Sequence, residues 1–251
     1  MDDSLKEKIR IQVDYDTLSK NAAEHIFQLI QSTLVDQDRF TLALAGGSTP
    51  AKLYDLLGSL YAERIPWEKV YLFWGDERNV PHDHQNSNHR SAKEHLLDKI
   101  EIPTENVFPV PVAPSSVSTA AQEYENQLRE FFQTDLPKFD LILLGIGDDG
   151  HTASLFPGSE AINEEKKWVA PTTAPIEPKE RITLTFPVLN NAKNVYFLAH
   201  GKSKSAAVNN ALSDDIGKNV CPAAYVQPDE GEVLWWLDKE AATDIQHKGL
   251  W

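Results

Sequence analysis

The sequence predicts an α/β fold: a three-layer, mostly parallel, Rossmann-like sheet with helices on both faces. Three observations carry that expectation. Short apolar runs rich in β-branched and aromatic residues recur along the chain, each of the type that makes a buried strand. Helical patterns separate them, and strands that alternate with helices build βαβ units and a parallel sheet covered on both sides. The chain has 251 residues, and no composition break divides it convincingly. We therefore read 1–251 as a single domain.

The elements follow in order. A first helix is expected over about Thr17–Leu34 and a strand over Phe40–Ala45. A helix runs from Pro50 to about Leu60, and Val70–Trp74 is the second clear strand. Helices are expected over Asn88–Leu97 and Ser118–Phe132. Phe139–Leu144 and Asn194–Ala199 give the third and fourth strands, Lys202–Leu212 a further helix, and Ala223–Val226 a short last strand. Trp235 and Trp236 would point to opposite faces of an extended segment, which favours core packing or a shielded edge. The proline-rich stretches Pro103–Pro114 and Pro171–Pro178 read as surface connections.

Composition narrows the function classes. The formal net charge is -14, which disfavours nucleic acid and anionic lipid, since both are polyanions. A small phosphorylated ligand stays compatible, provided that a few cations are gathered locally. Cys221 is the one cysteine, so no intrachain disulfide forms and a reducing compartment is favoured. The segment from Met1 to Glu7 lacks the apolar run of a signal peptide, and no stretch has the length of a membrane span. The expectation is a cytoplasmic protein.

In parallel sheets ligands bind beyond the carboxyl ends of the strands. The chemistry should therefore lie just after Ala45, Trp74, Leu144 and Ala199, and each point carries an unusual loop. Gly46-Gly47-Ser48-Thr49-Pro50 comes first. Its glycines let backbone approach a ligand, Ser48 or Thr49 can cap the next helix, and free N–H groups at a helix start seat a phosphate. A tight, well-capped turn explains most of the same residues. Gly75-Asp76-Glu77-Arg78-Asn79-Val80-Pro81 is second. Arg78 suits a phosphate or a developing oxyanion, with Asp76 holding it; a solvated turn with an internal ion pair is the plainer reading.

Gly145-Ile146-Gly147-Asp148-Asp149-Gly150-His151 is third. It matches the dinucleotide pattern G-x-G-x-x-G, but two aspartates inside the cradle would repel a pyrophosphate. Nor does a second strand ending in an acid follow about twenty residues later. His151 instead suits general-base work near neutral pH, with Asp149 fixing its tautomer. His200-Gly201-Lys202-Ser203-Lys204 is fourth, and its lysines sit unfavourably beside a positive helix end unless an anion binds there. His82-Asp83-His84 invites a metal, yet no third ligand is in sight, and we expect no metal and no cofactor.

Together these loops resemble the 6-phosphogluconolactonase family, which is related to the glucosamine-6-phosphate isomerases/deaminases. The resemblance runs from about residue 40 to the end of the chain. It rests on Leu42–Pro50, on Trp74–Pro81 with Ser87-Asn88, and on Arg181–Thr185. It rests also on Gly201-Lys202-Ser203-Lys204 and, most specifically, on Asp149-Gly150-His151-Thr152-Ala153-Ser154-Leu155-Phe156-Pro157. Related deaminases carry a glutamate after the histidine, where Thr152–Pro157 here has no acid, and an aromatic in place of Arg78. The resemblance implies hydrolysis of a phosphorylated sugar lactone, with His151, Asp149, Arg78 and Asp76 catalytic. It implies Gly46, Gly47, Ser48, Thr49, Asn88, Arg181 and Lys204 on the substrate, with Arg181 and Lys204 gripping phosphate. The partner expected is that small molecule, with the chain a monomer or weak homodimer. A sugar-phosphate isomerase or deaminase, and a non-catalytic sugar-phosphate sensor, stand as alternatives.

Overall fold

The computed structural model describes residues 7–112, 116–213 and 216–248. The segment Met1–Lys6 and Pro114, both read above from sequence, lie outside them. Six parallel strands form the main sheet: β1 (Ile9–Gln12), β2 (Phe40–Leu44), β3 (Val70–Trp74), β5 (Leu141–Gly145), β8 (Asn194–Ala199) and β9 (Glu232–Asp238). Their order is β1-β9-β8-β5-β2-β3. All five residues of β2 are buried, and so are four of the five in β5. That is why these strands read as continuous apolar runs rather than alternating ones. The helices α1 (Tyr15–Asp36), α2 (Ala51–Leu60), α3 (Asn88–His95), α4 (Val117–Phe132), α5 (Phe186–Leu189) and α6 (Ser205–Ala211) connect and cover the sheet. A small antiparallel sheet, β4 (Asp76–Arg78), β7 (Glu180–Leu184) and β6 (Val169–Thr173), lies beside it.

Local chemistry sets the helix starts. Asp14 accepts the Thr17 N–H at 2.7 Å and opens α1, while Ser87 accepts the Arg90 N–H at 3.2 Å and opens α3; both are N-caps. Gln133, at φ 51°, turns the chain out of α4. Aromatic rings fill the layers: Phe73 stacks on Phe108 at 4.8 Å and meets Phe139 edge-on at 5.3 Å. Across the sheet, Phe197 and Trp235 stack at 3.9 Å, which gives the tryptophan pair its core role in β9.

The structure corrects several boundaries. Ala223–Val226 is not a strand: Pro222–Tyr225 forms a 3-10 turn, and β9 supplies the last strand. The helix expected over Lys202–Leu212 divides into a 3-10 turn at Lys202–Lys204 and α6. The one expected to reach Leu97 stops at His95 and gives way to a 3-10 turn at Leu97–Lys99. Asp76–Arg78 pairs as a strand, not as a free loop.

Two buried phenols fix the points where strands leave the sheet. Ala45 N–H donates to the Tyr54 hydroxyl at 2.9 Å, and that hydroxyl donates to the Ala45 carbonyl at 2.8 Å. Tyr124 treats Trp74 the same way, both bonds at 2.9 Å. Each phenol satisfies one peptide that would otherwise be buried without partners. The chain order reverses between β2 and β5, since β3 lies on one side of β2 and β5 on the other. That reversal opens a crevice at their carboxyl ends. Replacing Tyr54→Phe leaves both Ala45 groups unpaired and should cost about 1–3 kcal/mol. A lower urea midpoint at unchanged slope would show it.

Candidate active site

A pocket of about 450 Å³ occupies that crevice. The four sequence loops converge on it. Gly46, Gly47, Ser48 and Thr49 line one side, with Asp76 and Arg78, Gly147 and His151, and His200 and Lys204 completing the wall. Asn88, Asp149 and Arg181 are not part of the lining; each lies against a residue that is.

The His151 turn is built by a close approach. Gly147 N–H donates to the His151 carbonyl at 2.9 Å. A methyl group at Gly147 would fall 2.1 Å from His151 Nδ1 and 2.6 Å from Asp149 Oδ1, so only glycine fits beneath the pair. His151 Nδ1 meets Asp149 Oδ1 at 2.5 Å, and the ring lies 4.6 Å from that of Phe156. The hydrogen bond from His151 holds the Asp149 carboxyl below its ordinary range. With Nδ1 committed, Nε2 has no protein partner among the described residues.

The second loop obeys the strand period of two. Asp76 and Arg78 face the pocket, and Glu77 between them faces inward, 1% exposed. Its carboxylate takes four donors. Oε1 accepts from the N–H of Arg78 at 2.8 Å and of Asn88 at 2.7 Å; Oε2 accepts from the Ser87 hydroxyl at 3.1 Å and the His89 N–H at 2.8 Å. Burial pushes Glu77 up, against the pull of those N–H groups. Three of the donors belong to the start of α3, where negative charge is favoured.

Asp76 does not hold Arg78, contrary to the expectation. It accepts the Ser154 hydroxyl at 2.6 Å on Oδ2 and Asn88 Nδ2 at 3.2 Å on Oδ1. Arg78 is instead gripped by the Asn86 carbonyl, 2.6 Å from Nη1. Asn88 donates also to the Asp76 carbonyl at 2.9 Å, and it packs so tightly on Gly46 that a Cβ there would lie 2.0 Å from Asn88 Oδ1. Asn88 is thus a post between the first two loops.

Arg181 is the cross-strand partner of Arg78. Burial, with the Arg78 charge beside it, pulls Arg181 down to about 10, so it stays cationic at neutral pH. Arg78 Nε and Arg181 Nη1 are buried without partners in this structure. Two adjacent cations of this kind can attract an anion into the neighbouring pocket, where Arg78 but not Arg181 is part of the wall. Lys204 pairs with Asp148 at 2.7 Å. The capping expectation fails: Pro50 occupies the N-cap of α2, with no side-chain cap bond. Ser48 and Thr49 line the pocket with no helix-capping duty. His82 Nε2 lies 2.9 Å from the Val110 carbonyl, and His84 Nδ1 accepts the Asn86 N–H at 3.1 Å. Among the described residues no three His, Cys, Asp or Glu side chains form a metal-binding group, and no helix is long and apolar enough to cross a membrane.

Sequence reasoning missed Glu77, Ser154 and His200. The charged triplet at 76–78 held a signal for Glu77, because alternation puts the middle residue on the opposite face. Nothing local marks Ser154 as the partner of Asp76, which lies 78 positions away.

A family model for glucosamine-6-phosphate isomerases/6-phosphogluconolactonase matches residues 13–235. The chain belongs to this family. Its curated relatives include the 6-phosphogluconolactonase of Synechocystis sp., 38% identical over 242 residues that cover 95% of this chain and 98% of that protein. The Nostoc sp. 6-phosphogluconolactonase is 36% identical, covering 96% and 99%. Among solved structures, the 6-phosphogluconolactonase of Trypanosoma brucei aligns with a TM-score of 0.83 at 33% identity, covering 95% of this chain and 98% of that one.

Two outcomes are expected for this family member. Glu77→Gln turns an amide NH₂ toward N–H and O–H donors; it should cost about 1–3 kcal/mol, read by urea denaturation, and lower turnover by loosening Arg78. His89, pushed down to about 4 by burial, is neutral when folded. Its unfolded form protonates near its ordinary value, so its contribution is intact above about 6.5. That contribution is lost as pH falls from there toward 4. His89→Phe should flatten the decline in urea midpoint across that window.

Proposed function

We propose that this chain hydrolyses 6-phospho-D-glucono-1,5-lactone to 6-phosphogluconate by metal-independent general-base catalysis. The observation that carries the reading is the Asp149–His151 contact at 2.5 Å, on a turn that sets His151 in the pocket wall with Arg78 and Lys204. Family membership and the activities named for the relatives support the substrate.

His151 Nε2 takes a proton from a water molecule, whose oxygen attacks the lactone carbonyl carbon. Charge moves to the carbonyl oxygen, where Arg78 stabilises it. The tetrahedral intermediate collapses by breaking the bond between C1 and the ring oxygen. His151 returns its proton to that oxygen, and the new carboxylic acid ionises. Asp149, ionised because its carboxyl is held low, orients the imidazole and offsets the charge of its cation. Lys204 and the Gly46–Thr49 loop hold the phosphate; Arg181, expected to grip it too, lies buried behind Arg78 and adds positive charge rather than a direct contact. General-base help of this kind contributes about 10²–10⁴-fold, and a positioned cation a comparable amount. A lactone that opens on its own needs no more.

Lactone opening should be measured with EDTA present, for wild type and His151→Ala. The expected result is fast opening by wild type and a loss of about 10²–10⁴-fold in the variant, close to the spontaneous rate. A wild type no faster than buffer would overturn the reading.

A further inference from the structure

We propose that His200 is a specificity-determining residue that recognises the phosphate of the ligand, and that Tyr15 holds it in place. This rests on the lactonase reading above and adds a residue to it.

His200 follows β8 and lines the pocket beside Gly201, Ser203 and Lys204. Its ring is not loose. It stacks on Tyr15, with centroids 4.1 Å apart and planes 18° from parallel. Tyr15 is itself tied to the opposite loop, because its hydroxyl donates to the Thr49 carbonyl at 2.8 Å and lies 3.3 Å from the Ser48 carbonyl. One aromatic ring therefore bridges the first and fourth loops and fixes an imidazole between them. The fourth loop is anchored from below, where the buried Asp238 carboxylate accepts the Gly201 N–H with both oxygens at 3.1 Å.

The stack accounts for one face of the imidazole but not for its edge. Neither ring nitrogen has a hydrogen-bond partner among the described residues. A histidine kept only for packing would commit a nitrogen to the backbone, as His82 does with Val110. His200 instead brings an N–H donor to the same cavity as the Ser48 and Thr49 hydroxyls and the Lys204 ammonium. Those groups share one ligand chemistry, an oxyanion with several acceptors. Immobilising the donor before the ligand arrives lowers the entropy lost on binding. A sugar without phosphate offers that donor no charged acceptor, so His200 acts on discrimination rather than on the hydrolytic step.

The test uses the full chain as wild type, His200→Ala, His200→Gln and Tyr15→Ala. Titration calorimetry measures 6-phosphogluconate and gluconate binding, and kinetics compare the phosphorylated lactone with gluconolactone. His200→Ala should weaken 6-phosphogluconate about tenfold, the size expected for one charge-assisted hydrogen bond. It should reduce the preference for the phosphorylated lactone by the same factor, through KM rather than kcat. His200→Gln, which keeps an N–H donor, should recover most of the loss, and Tyr15→Ala should reproduce part of it. An unchanged preference in His200→Ala, or equal losses on both lactones, would overturn the proposal. A wild type that binds 6-phosphogluconate but opens no lactone would overturn the hydrolytic reading alone, and the binding comparison would still decide the role of His200.

Discussion

Two neighbouring carboxylates hold the carboxyl edge of the sheet together. Asp76 and Glu77 sit on a three-residue strand, so their side chains leave on opposite sides. Glu77 turns inward and collects the N-terminal donors of α3. Asp76 turns toward the pocket and collects Ser154, just past the third loop, and Asn88 at the start of α3. Asn88 presses on Gly46 in the first loop. Three loops separated by tens of residues thus share one polar junction, buried enough that an unmet group would be costly.

That junction also explains how cations gather in a chain of net charge -14. Arg78 and Arg181 face each other across β4 and β7, a pairing that strands ordinarily avoid. Asp76 and Glu77 lie close enough to oppose the repulsion and help keep Arg181 protonated. Arg78 Nε and Arg181 Nη1 remain buried without partners.

Much of this was legible in the sequence because burial on both faces leaves a plain record. The expected strands Phe40–Ala45, Val70–Trp74, Phe139–Leu144 and Asn194–Ala199 are largely apolar runs, and each overlaps an observed strand. Strand β1, Ile9-Arg10-Ile11-Gln12, is a short edge strand with alternating polarity and gave too weak a signal. In β9 only the Trp235-Trp236 pair was recognised as extended. The small sheet was hidden because Asp76-Glu77-Arg78 is polar, and its strand character comes from pairing with β7 rather than from propensity. At 222–225 a proline at the start of an alanine-rich stretch favours a tight turn, and tertiary placement overrode the strand reading. The site loops were legible because glycines and charges directly after apolar strands have few packing explanations. Their cross-links were not, since Asp76–Ser154 and Tyr15–His200 join residues with no sequence relationship.

The Asp148–Lys204 contact ties the third loop to the fourth at the pocket wall. The ammonium already has an anion, so under the proposed function an arriving phosphate would exchange with a carboxylate instead of meeting a bare charge. Binding then reflects the difference between two ion pairs, and much of the Coulomb energy cancels. Under the same reading, Asp148 would reclaim the lysine as the product leaves. On the proposed reading, the turn that carries His151 would then also carry the group that makes the hold on phosphate reversible.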